Sequence, residues 1–241
     1  MKKHSFSSFV SMWYNFRNIN LTLQAKMFII IMYDYFRRWC ILLILGICGG
    51  SGSGKSALSQ IAVKHGMRHL DTDAIYHALT KTKSPCLLEL CEKFGDGILS
   101  RDGGLDRRRL SDIVFGNSDT RTILNKITHK HILSRTRELI EEARKDGYSA
   151  VLVDAPLLFE SEFDKECDYT IAVVADVETR IGRITKRDGI DTAAAKKRID
   201  AQIPDAKLSE LADFTILNNG TISELENSFL DIISIINTKK G

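Results

Sequence analysis

Lys55, Ser56, Asp71, Asp73 and Asp154, with Arg180, Arg183, Lys186 and Arg187 further along, are the side chains whose types and spacing suit phosphate chemistry. Residues 49–56 read Gly-Gly-Ser-Gly-Ser-Gly-Lys-Ser, the pattern G-x-x-x-x-G-K-[ST]. Its four glycines let the backbone wrap tightly and aim N–H groups at phosphate oxygens. A helix following the loop adds positive dipole character at the same place. Gly50, Ser51, Gly52, Ser53, Gly54, Lys55, Ser56 and Ala57 are therefore the expected phosphate cradle. Lys55 has the reach for the β- and γ-phosphates, and the Ser56 hydroxyl is a ligand for Mg²⁺. Context separates this motif from a glycine-rich turn with a chance lysine. An apolar, strand-like run, 41–48, enters the loop, and a helix-compatible run, 57–64, leaves it. The loop implies a bound nucleoside triphosphate and says nothing of its use.

The acids and arginines narrow the use. Asp71 and Asp73 follow a short strand-like segment, where a base for a hydroxyl acceptor belongs. Either could instead cap the helix that starts near residue 74. Asp154 ends a strand and is the natural second ligand for Mg²⁺, although aspartate also suits the turn before Pro156. Arg183 and Arg187 lie four apart on one helical face and suit a lid that closes on the transferring phosphate. Arg180 and Lys186 read as the solvated side of that segment. Thr185-Lys186-Arg187-Asp188 matches a guanine-reading pattern only literally, since it falls within an amphipathic helix and not at a strand end. No Asp-x-x-Gly segment follows Asp154, which argues against a GTPase. A motor ATPase would need a larger chain or assembly. A small-molecule kinase fits the size. A nucleotide-binding module without turnover, or a kinase for another small alcohol, stays open on residue types alone.

These groups must be held by a frame, and its pattern is α/β. Apolar strands at 150–154, 169–174 and 214–217 alternate with helical stretches, which predicts a mostly parallel sheet covered on both faces. Residues 74–146 read as mainly helical, with apolar residues such as Ile113, Ile123, Ile127 and Ile140 at helical spacing and Gly147 as the stop. A last helix over 221–237 carries Ile222, Leu225, Phe229, Ile232 and Ile236 at helical spacing. The 241 residues suffice for one such domain. The net charge is +3, and residues 1–40 hold +5 of it, which leaves −2 to the other 201 residues. The body of the chain thus has no basic bias toward nucleic acid. Five cysteines without a C-x-x-C pair fit a reducing compartment, and Cys48 is expected to pack as a small apolar residue. Residues 1–40 are basic and aromatic-rich, with three readings: a targeting segment, a membrane association segment, or an extension ahead of a start at Met27 or Met32. The apolar runs there are too short for stable membrane insertion. Oligomeric state is not legible.

The motifs taken together resemble the dephospho-coenzyme A kinase family. The resemblance covers about residues 42–237. It rests on the loop 48–56, Leu70-Asp71-Thr72-Asp73, Gly104-Leu105-Asp106-Arg107, and Asp154-Ala155-Pro156-Leu157-Leu158-Phe159-Glu160. It continues through Arg183 to Asp188, Ala201-Gln202-Ile203-Pro204, Ala212-Asp213-Phe214 and Asn218-Asn219-Gly220. It implies a three-layer P-loop kinase fold spanning 41–237, with an acceptor-binding helical insertion at 74–146 and a lid at 183–205. It also implies ATP-dependent phosphorylation of the ribose 3′-hydroxyl of dephospho-CoA in the cytoplasm. Asp73 stands at the family's proposed base position. Lys55 and Arg183 stabilise the transferring phosphate, Arg187 lies in the lid, and Asn219 sits near the nucleotide. Three positions depart: Lys130 replaces a proline after His129, Asp205-Ala206-Lys207 follows the A-Q-x-P segment, and Ala57 replaces a threonine. The first puts a local helix start in doubt, and the second a lid contact.

Overall fold

The computed structural model describes residues 42–81 and 83–240. The readings of residues 1–40 lie outside the described residues. β1 (Leu43–Cys48) enters the glycine loop, and α1 (Lys55–Lys64) leaves it. β2 (Arg68–Asp71) runs directly into α2 (Thr72–Leu79). Then come α3 (Pro85–Phe94), α4 (Arg107–Val114) and the long α5 (Ser118–Lys145). β3 (Ala150–Asp154), β4 (Tyr169–Val174), α6 (Val177–Asp188), α7 (Thr192–Asp200), α8 (Asp205–Leu211), β5 (Phe214–Leu217) and α9 (Ile222–Lys240) follow.

Among the described residues, five strands form one parallel sheet in the order β2-β3-β1-β4-β5. β1 sits between β3 and β4, so the chain turns opposite ways on its two sides, which opens a crevice at the carboxyl ends of the strands. The three central strands, β1, β3 and β4, split their side chains between two cores. Leu43, Leu45, Ile47, Leu152, Ile171 and Val173 pack against α1 and α9 on one face. Cys48, Val151, Val153, Ala172 and Val174 pack against α5, α8 and the segment after β3 on the other. Both faces are dry, which is why the strands read as continuous apolar runs. Gly46 keeps the second face close. A Cβ there would stand 2.8 Å from Cys167 Sγ and 3.0 Å from Leu158.

The helical region has its own small core of Cys86, Leu90, Ile98, Leu110 and Ile127. Its helices start where short polar side chains take up orphan amides. Ser84 caps α3, Asp106 caps α4 and Asn117 caps α5. No helix begins at the missing proline. α5 runs unbroken through His129 and Lys130, and Lys130 Nζ reaches the Glu89 carboxylate of α3 at 2.9 Å. Ile113 and Ile123, apolar residues at helical spacing, are exposed, as is Ile222 at the first position of α9. Leu225, Phe229, Ile232 and Ile236 are buried as their spacing implied. α6 and α7 share a separate cluster of Ile181, Ile184, Ala195 and Ile199 around the turn at Gly189. Among the described residues no helix is long and apolar enough to cross a membrane.

Candidate active site

The glycine loop closes over the carboxyl end of β1 and delivers the chain to α1 at Gly54. That residue has φ +105°, and a Cβ on it would lie 2.0 Å from Asn218 Nδ2. Only glycine meets both conditions. No side chain caps α1. Lys55 Nζ donates to the Gly49 carbonyl at 2.9 Å, which curls its ammonium back over the loop. Ser56 is exposed on the first turn of the helix. Asn218 is 5% exposed and donates to the Ser53 carbonyl at 2.8 Å, so β5 braces the loop from beneath. Asn219, its neighbour, was the residue expected at the nucleotide. Its Oδ1 accepts from the Asp176 N–H at 2.8 Å and shapes the entry to α6.

The three aspartates meet at the sheet edge. Asp71 and Asp154 are register partners on β2 and β3. Asp71 is the helix cap, its carboxylate accepting from the N–H groups of Asp73 at 2.9 Å and Ala74 at 3.1 Å. That leaves Asp73 on the first turn of α2 with an exposed side chain. Thr72 Oγ1 donates to the Asp154 carbonyl at 3.0 Å and fastens this turn to the end of β3. Burial pushes the Asp154 carboxyl above the ordinary carboxylate range. Lys55 opposes that rise, and the charges of Asp71 and Asp73 add to it. Among the described residues, Asp154 Oδ1 is buried with no hydrogen-bond partner. No group of three or more His, Cys, Asp or Glu among the described residues could hold a metal ion. Ser56 and Asp154 carry oxygens of the kind that could help hold a hard cation.

The arginines divide differently from expectation. Arg183 donates to the carbonyls of Gly52 at 3.2 Å and Ser53 at 3.3 Å and so lies against the loop. Arg187 is exposed and pairs with Asp188 at 2.7 Å, and Arg198 of α7 pairs with the same carboxylate. Those partners, Arg187 foremost, bring the Asp188 carboxyl down to about 2. Arg180, read as a solvated face residue, is not solvated. It is 3% exposed and donates to Ser51, Gln202 and Asp205. Helical spacing shows which residues share a face, and only packing shows whether that face meets the loop. Thr185 to Asp188 lies in the last turn of α6, away from any strand end.

A pocket of about 210 Å³ lies between α2, α5 and the segment after β3. Tyr76, Leu124, Ile132, Leu133, Pro156, Leu157 and Phe163 give it apolar walls, with Asn125, Thr128, His129 and Ser161 among them. Asp73 is the one carboxylate among its lining residues. Burial holds the His129 imidazole below its ordinary range, with Glu160 pulling weakly the other way. Of the pocket residues of α5, His129 and Ile132 fall in a segment that resembles the family's pattern, and Leu124, Asn125 and Thr128 had no motif. Their signal was their i, i+4 spacing at 124, 128 and 132, which also fits a core face.

A family model for dephospho-CoA kinase matches residues 43–224. The chain is similar to the dephospho-CoA kinase of Corynebacterium glutamicum, 33% identical over 195 residues that span 81% of this chain and 100% of that one. It is also similar to that of Thermobifida fusca, 37% identical over 185 residues, 77% of this chain and 92% of that one. Among solved structures it resembles TT1252 from Thermus thermophilus, with a TM-score of 0.68 and 28% identity over 80% of this chain and 97% of that one. It also resembles the dephospho-CoA kinase from Campylobacter jejuni, with a TM-score of 0.53 and 26% identity over 80% and 96%.

Proposed function

Because the chain belongs to the dephospho-CoA kinase family, we propose that Asp73 is the base that takes the proton of the acceptor's ribose 3′-hydroxyl, with Lys55 and Arg183 on the transferring phosphoryl group. The reaction itself is ATP-dependent phosphorylation of dephospho-CoA, in coenzyme A biosynthesis. The observation that carries the assignment is that Asp73 supplies the one carboxylate among the lining residues of the pocket, while Asp71 is committed to capping α2.

The apolar walls and scattered hydroxyls of the pocket suit the nucleoside end of the acceptor. The 3′-oxygen then attacks the γ-phosphorus, its proton passes to the Asp73 carboxylate, and ADP leaves. Amides of the loop from Gly50 to Ala57 hold the phosphates, apart from those of Ser51, Ser53 and Ala57, which bond Gln202, Gly50 and Gly54, and Lys55 releases the Gly49 carbonyl to reach them. Charge that spreads over the transferring group is met by Lys55 and by Arg183, which already lies against Gly52 and Ser53. Mg²⁺, held by Ser56 and Asp154, supplies charge neutralisation at the phosphates when bound. Arg187, at the end of α6, belongs to the lid over 183–205, and Asn219 serves the nucleotide side by ordering the turn into α6.

Asp73→Asn tests the base. It keeps the size and the first-turn position of the side chain, and removes the proton acceptor. The expected result is a fall in kcat of ~10²-fold or more with ATP affinity changed less than ~threefold. Near-normal kcat would show that another group takes the proton.

A further inference from the structure

We infer that Arg180, Gln202 and Asp205 form a latch that positions the phosphate loop for ATP and ties it to α6, the helix that carries Arg183. Arg180 is 3% exposed. A guanidinium this far from water needs its donors paired, because desolvation of an unpaired charge is costly. Nε donates to the Ser51 carbonyl at 2.9 Å, Nη1 to the Asp205 carboxylate at 2.8 Å, and Nη2 to Gln202 Oε1 at 2.8 Å. Gln202 Oε1 also accepts from the Ser51 backbone N–H at 2.9 Å, and Gln202 Nε2 donates to the Ser51 hydroxyl at 3.2 Å. Ser51 is thereby held through its carbonyl, its amide and its side chain.

The flanking glycines fit the same contact. A Cβ on Gly50 would lie 2.1 Å from Arg180 Nη2, and one on Gly52 would lie 2.7 Å from the Arg180 carbonyl. A loop with this much glycine has many accessible conformations, and a phosphate site needs one of them. The latch selects it through the turn at Ser51. One helical turn beyond Arg180, Arg183 reaches the carbonyls of Gly52 and Ser53. Both arginines ride on one helix, so a displaced Arg180 displaces Arg183 as well. Gln202 lies just beyond α7 and Asp205 opens α8, so the latch also fixes where the lid joins the loop. Arg180 acts through the loop and is a positioning residue. A lysine cannot replace it, because a single ammonium cannot span three acceptors that diverge as a planar fork does.

The inference rests on the reading of the loop as the ATP phosphate site, and the experiment separates the two. Arg180→Lys, Gln202→Met, Gln202→Glu and Lys55→Ala are compared with the unaltered full chain. The measurements are kcat, KM for ATP and for dephospho-CoA, ATP affinity by calorimetry, and Tm. Arg180→Lys and Gln202→Met are expected to lower kcat/KM for ATP roughly 10- to 100-fold, the scale of a misplaced phosphate site. KM for dephospho-CoA is expected to change less than ~threefold, because the latch does not line the acceptor pocket. Gln202→Glu keeps an acceptor for both Ser51 N–H and Arg180, and is expected to recover most of what Gln202→Met loses. The inference is overturned by a lower Tm with unchanged kinetic constants, by equal losses toward both substrates, or by Gln202→Glu and Gln202→Met behaving alike. If Lys55→Ala binds ATP normally, the loop reading itself fails and the inference falls with it. If Lys55→Ala loses ATP while the latch variants are unaffected, the inference alone falls.

Discussion

Asp154→Asn is expected to make the protein more stable and less active. The carboxylate is buried, and its Oδ1 has no hydrogen-bond partner among the described residues. Burial raises its pKa, Lys55 partly offsets the rise, and the nearby charges of Asp71 and Asp73 work against Lys55. Asparagine has the same shape without the charge, although its amide also lacks a ready partner at Oδ1. A net gain of about 1 kcal/mol fits the usual range for relieving such a site, and corresponds to a Tm increase of ~2–4 °C at this chain length. The gain has a defined pH dependence. With the folded pKa above the ordinary 3.8, the unfolded chain ionises first as pH rises. The wild type therefore loses stability as pH rises from below that value through the folded pKa. The advantage of Asp154→Asn should be near zero in acid and reach its plateau above the folded pKa. In the same variant kcat should fall by ~10²-fold, as expected when charge stabilisation at the phosphates is removed. Thermal unfolding at several pH values and a coupled ADP-release assay read both effects. A variant that melts lower than wild type at neutral pH, yet turns over normally, would refute the reasoning and make Asp154 a structural turn residue.

Asp188, bridged to Arg187 and Arg198 and titrating near about 2, should stay ionised through the usual carboxylate range when followed by NMR. Its depressed pKa means that its contribution to the pairing of α6 with α7 is present above the ordinary 3.8 and is lost as pH falls toward about 2. A midpoint near 3.8 would show that the bridge between α6 and α7 does not form in solution. The thiols of Cys48 and Cys167 are pushed up to about 12 by burial. Both should resist alkylation at pH 8 in the native protein and react on unfolding, with peptide mass spectrometry as the readout. Rapid native labelling of Cys48 would contradict its place in the core beneath the loop.

Much of the site was legible because it is local. A glycine loop, its lysine and its serine fall within eight consecutive residues, and strand-loop-helix context follows directly on both sides. Asp154 was placed at a strand end by the apolar run before it. Residue types alone left Asp71 and Asp73 as two candidates, and only the family resemblance singled out Asp73, because capping depends on which carboxylate folds back onto the amides of α2. Arg180 was misread for a related reason. Its helix is amphipathic, and its polar face meets the phosphate loop instead of water. Lys130 in place of a proline put a helix start there in doubt, and none forms: α3 packs alongside and Glu89 takes Lys130 and His131 from an unbroken helix.

By itself the sequence determined the chemistry this protein can perform: a phosphate loop, a set of acids and arginines in order, and parallel strands to carry them. Those are properties of neighbouring residues, which backbone sterics and side-chain type dictate without distant contacts. Only the tertiary structure decided which groups face one another. The strand order β2-β3-β1-β4-β5 sets Asp71 beside Asp154, and α5, some fifty residues after α2, closes the pocket around Asp73. The Arg180 latch joins residues 151 apart, Ser51 and Gln202, to one guanidinium. Such pairings come from burying apolar faces of elements far apart in the chain, and no local pattern encodes which polar groups that burial brings together.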